Sequence, residues 1–226
     1  MRARIITALI GIPIVLGACF YTSPLPFATL LTVAFSLTFW EAYALLGKLF
    51  GASVWGRAAA ALASLVWVGI PIASLSILHW VGVSSDVVLG PWRWDVPVLI
   101  ALLPLWAGDS AAIFAGKAFG KHPLAPSISP KKTWEGGIAN FLACVLTAYG
   151  VGLWIGLPVI HSLAIGASTG ILGQVGDLFE SWLKRKAGVK DSGTILPGHG
   201  GFLDRLDSML FTAIPAVLIT MHGLSR

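Results

Sequence analysis

Five of the chain's ten carboxylates, Asp177, Glu180, Asp191, Asp204 and Asp207, fall between residues 176 and 207. Five of its fifteen Lys and Arg residues, Lys184, Arg185, Lys186, Lys190 and Arg205, share that stretch, which reads GDLFESWLKRKAGVKDSGTILPGHGGFLDRLD. Carboxylates with no His or Cys cluster are hard oxygen donors, a set that suits Mg²⁺ better than zinc. Bases beside them suit a polyphosphate, because metal and lysines together neutralise both its charge and the charge that develops on transfer. The acids alone would suit a cation transporter, and the bases alone would suit adhesion to lipid head groups. Asp177, Glu180, Ser181 and Lys184 are spaced i, i+3, i+4, i+7 and so share one helix face, and Asp204 and Asp207 do the same. A salt-bridge network without metal is the plainer reading of the same acids and bases.

A second basic stretch reads GKAFGKHPLAPSISPKKTWEGG, over residues 116–137. It is too rich in Gly and Pro for a helix. Lys131 and Lys132 stand just before an apolar run that Ser129 or Thr133 could N-cap. Lysines together with the free N–H groups of a helix start make an anion site. The alternative is an ordinary basic loop that sets topology. In the PGHGG turn, His199 either donates to a phosphate or satisfies the loop backbone. Glycines 198, 200 and 201 permit positive φ or close approach of the backbone to a ligand.

The elements that must position these residues follow from composition. Of 226 residues, 56% are hydrophobic and only 11% charged, and the mean hydropathy is +0.84. Soluble domains average about 25% charged residues. The fold class is therefore all-α, a polytopic membrane helix bundle, and its two parts (1–95 with about three spans, 96–226 with the chemistry and its loops) form one integrated membrane domain. A spanning helix needs about 20 apolar residues. Seven candidates meet this: 4–21, 25–49, 56–80, 96–116, 135–156, 159–184 and 204–223. The first is short and contains Pro13; it is read as a retained helix rather than a cleaved signal. Cys19 and Cys144 lie in apolar runs and read as small packed residues, not a disulfide.

With the N-terminus inside, thirteen Lys and Arg residues fall in inner segments, and only Arg93 and Arg226 fall outside. That bias fixes an N-inside topology, with Trp80, Trp92 and Trp94 beside Asp95 as an outer interfacial belt. At about 1.5 Å per residue, Asp109 lies roughly 20 Å in from the outer end of its helix and Asp177 roughly 27 Å in. Asp204 and Asp207 fall in the first turns of the last helix. Three helices thus bring acids to one level on the inner side, where an unpaired carboxylate costs a few kcal/mol. Gly166, Gly170 and Gly173 allow close helix approach just before Asp177. Glu41 near the inner end of the second helix is read as paired with Lys48 or Arg57, with reach to the site as the other possibility.

The stretch from Ser181 to Asp207, with Lys184-Arg185, Lys190-Asp191-Ser192-Gly193, Pro197-Gly198-His199-Gly200-Gly201, Asp204-Arg205 and Asp207, resembles the signature of the phosphatidate cytidylyltransferases, the CDP-diacylglycerol synthases. Gln174 with Gly176-Asp177-Leu178 and Glu180-Ser181, Trp106 with Asp109-Ser110, and Ser129-Pro130-Lys131-Lys132-Thr133 with Glu135-Gly136 resemble the same family. The resemblance covers roughly residues 100–210. Ile113 stands where the family is expected to carry an aromatic, and the chain is shorter than typical members, as if lacking an N-terminal helix or two.

The resemblance implies transfer of a cytidylyl group from CTP to phosphatidic acid, giving CDP-diacylglycerol and pyrophosphate. It implies Mg²⁺, with a second cation compatible, held by Asp177 and Asp204, with Asp207 and Glu180 as further ligands. Asp177, Asp204, Asp207, Lys184 and Arg205 would be catalytic. Lys131, Lys132, Ser129, Thr133, Asp109, Ser181, Arg185, Lys190, Asp191 and His199 would bind CTP or phosphatidate. It implies a bacterial inner membrane protein with its site toward the cytoplasm, membrane lipids as partners and no nucleic acid. Small-residue faces would suit a homodimer. An ether-lipid phosphate is the alternative acceptor. A cation transporter would need a polar path to the outer side, and the outer halves of these helices offer only His161 and His222 near their ends.

Overall fold

The computed structural model describes residues 2–21, 23–80, 88–89, 92–93, 97–195 and 200–225. Its helices are α1 (Arg2–Phe20), α2 (Pro24–Phe50), α3 (Val54–Ser64), α4 (Ile70–Trp80), α5 (Leu99–Phe119), α6 (Trp134–Trp154), α7 (Val159–Lys186) and α8 (Leu203–Leu224). Among the described residues, six spans are long and apolar enough to cross a membrane: α2, Val54–Trp80, α5, α6, α7 and α8. Their bounds follow the expected ones to within three residues. The seventh expected span corresponds to α1, whose described apolar stretch, Leu9–Phe20, is shorter than a span.

Val54–Trp80 is α3 and α4 fused through a π turn at Leu65–Gly69. Pro71 accounts for that widening. It has no N–H for the carbonyl four residues back, and its ring crowds that carbonyl at Trp67, so the ladder relaxes there. Ser23, Ser53 and Thr133 cap α2, α3 and α6 through their side-chain oxygens. Thr133 is one of the two caps expected, and its Oγ1 accepts from Gly136 N at 3.2 Å.

The basic segment before α6 is more regular than its Gly and Pro content suggests. It forms an antiparallel hairpin of β3 (Pro123–Ala125) and β4 (Ser129–Thr133), after a short ribbon of β1 (Val88–Leu89) and β2 (Trp92–Arg93). His122 Nδ1 lies 2.6 Å from Glu135 Oε1, and Trp134 N donates to His122 O at 3.0 Å. These contacts pin the hairpin to the start of α6, so Lys131 and Lys132 are carried on a fixed strand. Trp94 and Asp95 of the expected outer belt lie outside the described residues, while Trp80 at the end of α4 is exposed.

Outward faces are apolar: Leu146 and Ile160 are each 70% exposed. Water would penalise such faces, whereas hydrocarbon accepts them. Inside the bundle, glycines set how closely helices pack. A Cβ at Gly166 would lie 2.6 Å from Val145 Cα, and one at Gly170 would lie 2.9 Å from Phe141 Cα. These contacts press α7 onto α6. A Cβ at Gly176 would lie 2.8 Å from Asp207 O, which presses α7 onto α8. Cys19 and Cys144 are free and buried.

Gly166→Ala must push α6 and α7 apart, so it should destabilise the protein by about 1–3 kcal/mol, the usual cost of overpacking. Gly150→Ala, whose new Cβ meets nothing within 4 Å, should be neutral or slightly stabilising. Thermal unfolding of the two variants in detergent checks the contrast.

Candidate active site

Where α5 ends and α6 begins, and where α7 ends and α8 begins, the four helices enclose a cavity of about 600 Å³. From α5 come Asp109, Ala112, Ile113, Gly116 and Lys117, and from β4 and α6 come Lys131, Lys132, Thr133, Gly136, Gly137 and Asn140. Gly173, Gln174, Asp177 and Lys184 of α7 line it, as do Asp204, Arg205, Asp207 and Ser208 of α8 and Asp191 of the intervening loop. Asp177 and Asp204 therefore face the same space. The small residues on α5 and α6 leave room at the centre, since a Cβ on Gly136 would already crowd Ala112 O at 3.0 Å.

The charges divide into two groups. In the first, Lys184 on α7 is almost buried, and its Nζ contacts Glu180 Oε2 at 2.5 Å and Asp204 Oδ1. Glu180 is completely buried. Asp204 Oδ2 also accepts from Ser192 N at 3.0 Å and Gly201 N at 2.7 Å. One carboxylate thus fastens Lys184, the loop and the start of α8. Gly200 at φ +82° allows the chain to turn into that grip, a conformation that disfavours residues with a Cβ.

The second group is richer in acid. Asp109, Asp177 and Asp207 interact electrostatically with one another, with Lys132 nearby and Arg205 close to Asp109. Lys132 Nζ sits 2.6 Å from Asp177 Oδ2. Asn140 Nδ2 donates to Asp109 Oδ1 at 3.3 Å, and Asp207 Oδ1 accepts from Ser208 N at 2.6 Å. Among the described residues, no group of three or more His, Cys, Asp or Glu is disposed to hold a metal by itself. Mg²⁺ does not require one, because it commonly takes one or two carboxylates and completes its shell with water and substrate phosphates. The hard oxygens of Asp109, Asp177 and Asp207, facing one cavity, fit that ion.

The remaining expected residues lie around this core. Ser181 Oγ reaches Asp177 Oδ1 at 3.5 Å from below. Glu180 is sealed beneath Lys184, away from the cavity. Ser129, Arg185 and Lys190 do not line it. Arg185 instead bonds Val189 O at 3.3 Å, and Lys190 is exposed. His199 lies outside the described residues.

Glu41 corrects the expectation. No ion pair joins it to Lys48 or Arg57 among the described residues. It is 3% exposed, and its Oε2 accepts from Ser192 Oγ at 3.0 Å and Leu203 N at 2.8 Å. The reason is helical phase. Glu41 lies on the stripe of Leu31, Ala34, Thr38, Ala42 and Leu45 that α2 buries, while Lys48 is exposed two turns on. A lone acid in phase with a buried stripe was the available signal. Asn140, Gln174 and Lys117 were also missed as site residues. Gln174 Nε2 ties α7 to α6 through Gly137 O at 3.1 Å.

The sequence pattern of the Cytidylyltransferase family matches residues 54–222. The chain belongs to that family. It is 35% identical to the phosphatidate cytidylyltransferase of Pseudomonas aeruginosa, over 95% of this chain and 94% of that one. It is 48% identical to that of Bacillus subtilis over 50% of this chain and 43% of that one. It is 44% identical to the chloroplastic phosphatidate cytidylyltransferase 5 of Arabidopsis thaliana over 57% of this chain. The chain spans only 33% of the length of that plant relative. The Pseudomonas alignment runs over 257 positions, more than this chain's 226 residues, so part of the length difference from that family member is internal.

For this family member, Lys184→Met should cost about 3–5 kcal/mol, because it strands two buried carboxylates. Adding Glu180→Gln should restore part of that loss. Thermal unfolding of the single and double variants in detergent measures the recovery.

Proposed function

We propose that the chain transfers the cytidylyl group of CTP to phosphatidic acid in phospholipid synthesis, at the cytoplasmic face of a bacterial inner membrane. The observation that carries the reading is one cavity faced by acids from three helices and by Lys131, Lys132, Lys184 and Arg205. A phosphate oxygen of phosphatidic acid attacks the α-phosphorus of CTP. The bond to the β-phosphate breaks, and pyrophosphate leaves. The substrate brings its own nucleophile, so no side-chain nucleophile is needed, and catalysis rests on positioning and charge stabilisation.

Asp177 and Asp207 are the carboxylates best placed to hold Mg²⁺, with Asp109 beside them. Bound there with the triphosphate, the ion would supply Lewis-acid neutralisation of its oxygens. Both oxygens of Asp204 are already engaged, so it serves Lys184 and the loop more directly than it serves a metal. Lys131, Lys132 and Arg205 would meet the triphosphate, with Thr133 and the first N–H groups of α6 as an anion seat. Lys132 would exchange part of its contact with Asp177 for phosphate. The exposed charges of Arg185 and Lys190 suit attraction of an anionic lipid. The N-inside orientation rests on the excess of Lys and Arg at the site end of the bundle.

Purified protein in detergent should release pyrophosphate from CTP only when Mg²⁺ and phosphatidic acid are both present. Asp177→Asn should lower kcat/KM by about 100-fold or more, the scale of losing a preorganised electrostatic partner, with its unfolding temperature preserved. Asp204→Asn should lose both activity and stability. Full activity in Asp177→Asn would remove its assigned role.

A further inference from the structure

We propose that Glu41 is a positioning residue for this transfer, acting from outside the family-matched residues 54–222 by tying Ser192, just after α7, to Leu203 at the start of α8. The inference rests on the transferase reading above.

Three observations carry it. Glu41 is a carboxylate 3% exposed with no cationic partner among the described residues, and burying an acid this way is costly. An apolar side chain would join α2 to α8 without that penalty. Its Oε2 is placed between the two ends of one loop, accepting from Ser192 Oγ at 3.0 Å at the entry and Leu203 N at 2.8 Å at the exit. The loop is shaped around it: a Cβ at Gly193 would lie 2.2 Å from Oε1, and one at Gly201 would lie 2.4 Å from Oε2.

Ser192 is held from both sides. Its N–H goes to Asp204, and its hydroxyl goes to Glu41. Asp191, next in sequence, faces the cavity, as do Asp204 and Arg205 just after the exit. Releasing Glu41 therefore loosens the segment that places Asp191, Arg205 and the Asp204 contact to Lys184. Glu41 does not itself line the cavity.

The test is a double-mutant cycle on the full-length protein in detergent, using Glu41→Leu and Ser192→Ala. Each should lower kcat about tenfold, the scale of one hydrogen bond to a charged group. Thermal unfolding should change little. The double variant should be no worse than Glu41→Leu alone, because both changes remove the Ser192–Glu41 contact. A loss of stability in step with kcat, losses that multiply, or wild-type kcat in both variants would overturn the proposal. A second readout does not depend on the chemistry. Tryptic cleavage after the exposed Lys190 should be about tenfold faster in Glu41→Leu than in wild type. An inactive wild type whose Lys190 cleavage still depends on Glu41 would sink the transferase reading and leave the clamp. Unchanged cleavage in Glu41→Leu, with the wild type active, would sink the clamp alone.

Discussion

An ammonium group inside an apolar helix bundle must be surrounded by anions or not be there. Lys184 meets that condition through Glu180, one turn earlier on its own helix, and Asp204 on the next helix. Much of the site follows from this arrangement. Because Asp204 also receives two loop N–H groups, the lysine, the loop and the start of α8 are fixed by one carboxylate. The glycines on α7 then let α6 and α8 come close enough for Lys132, on the hairpin, to reach Asp177. The buried charges Glu180 and Lys184 meet here, and the buried Glu41 holds the same loop.

That placement explains how a bundle with few charges can handle a highly charged substrate. The cavity lies where four helix ends meet, so it draws on lysines from the β3–β4 hairpin, acids from α5, α7 and the start of α8, and the first N–H groups of α6. Membrane helices seldom offer so many polar groups at one depth. In the proposed reaction, a nucleotide would reach this end of the bundle from water and a lipid phosphate from the bilayer.

Much of this was legible in the sequence. The span boundaries were readable because about 20 consecutive apolar residues have few alternative fates. The convergence of Asp109, Asp177, Asp204 and Asp207 followed from rise per residue and the alternation of spans. The hairpin before α6 was not legible, because Gly and Pro suggest irregularity and the ordering comes from the contact of His122 with Glu135. The partner of Glu41 was not legible either: Ser192 lies 151 residues away in sequence, and the nearer lysine was a simpler match. The separation of Asp204 from the acid-rich group of Asp109, Asp177 and Asp207 needed side-chain geometry, since helical spacing places Asp204 and Asp207 on one face without saying which neighbour each meets.

In the proposed reaction these helix ends form one metal-assisted nucleotide site. Equilibrium binding of CTP to the purified protein without any lipid, with and without Mg²⁺, tests it most directly. Tight binding that needs Mg²⁺ and weakens more than about tenfold in Asp207→Asn is the result this account requires. CTP binding of equal strength in wild type and Asp207→Asn, indifferent to Mg²⁺, would contradict it.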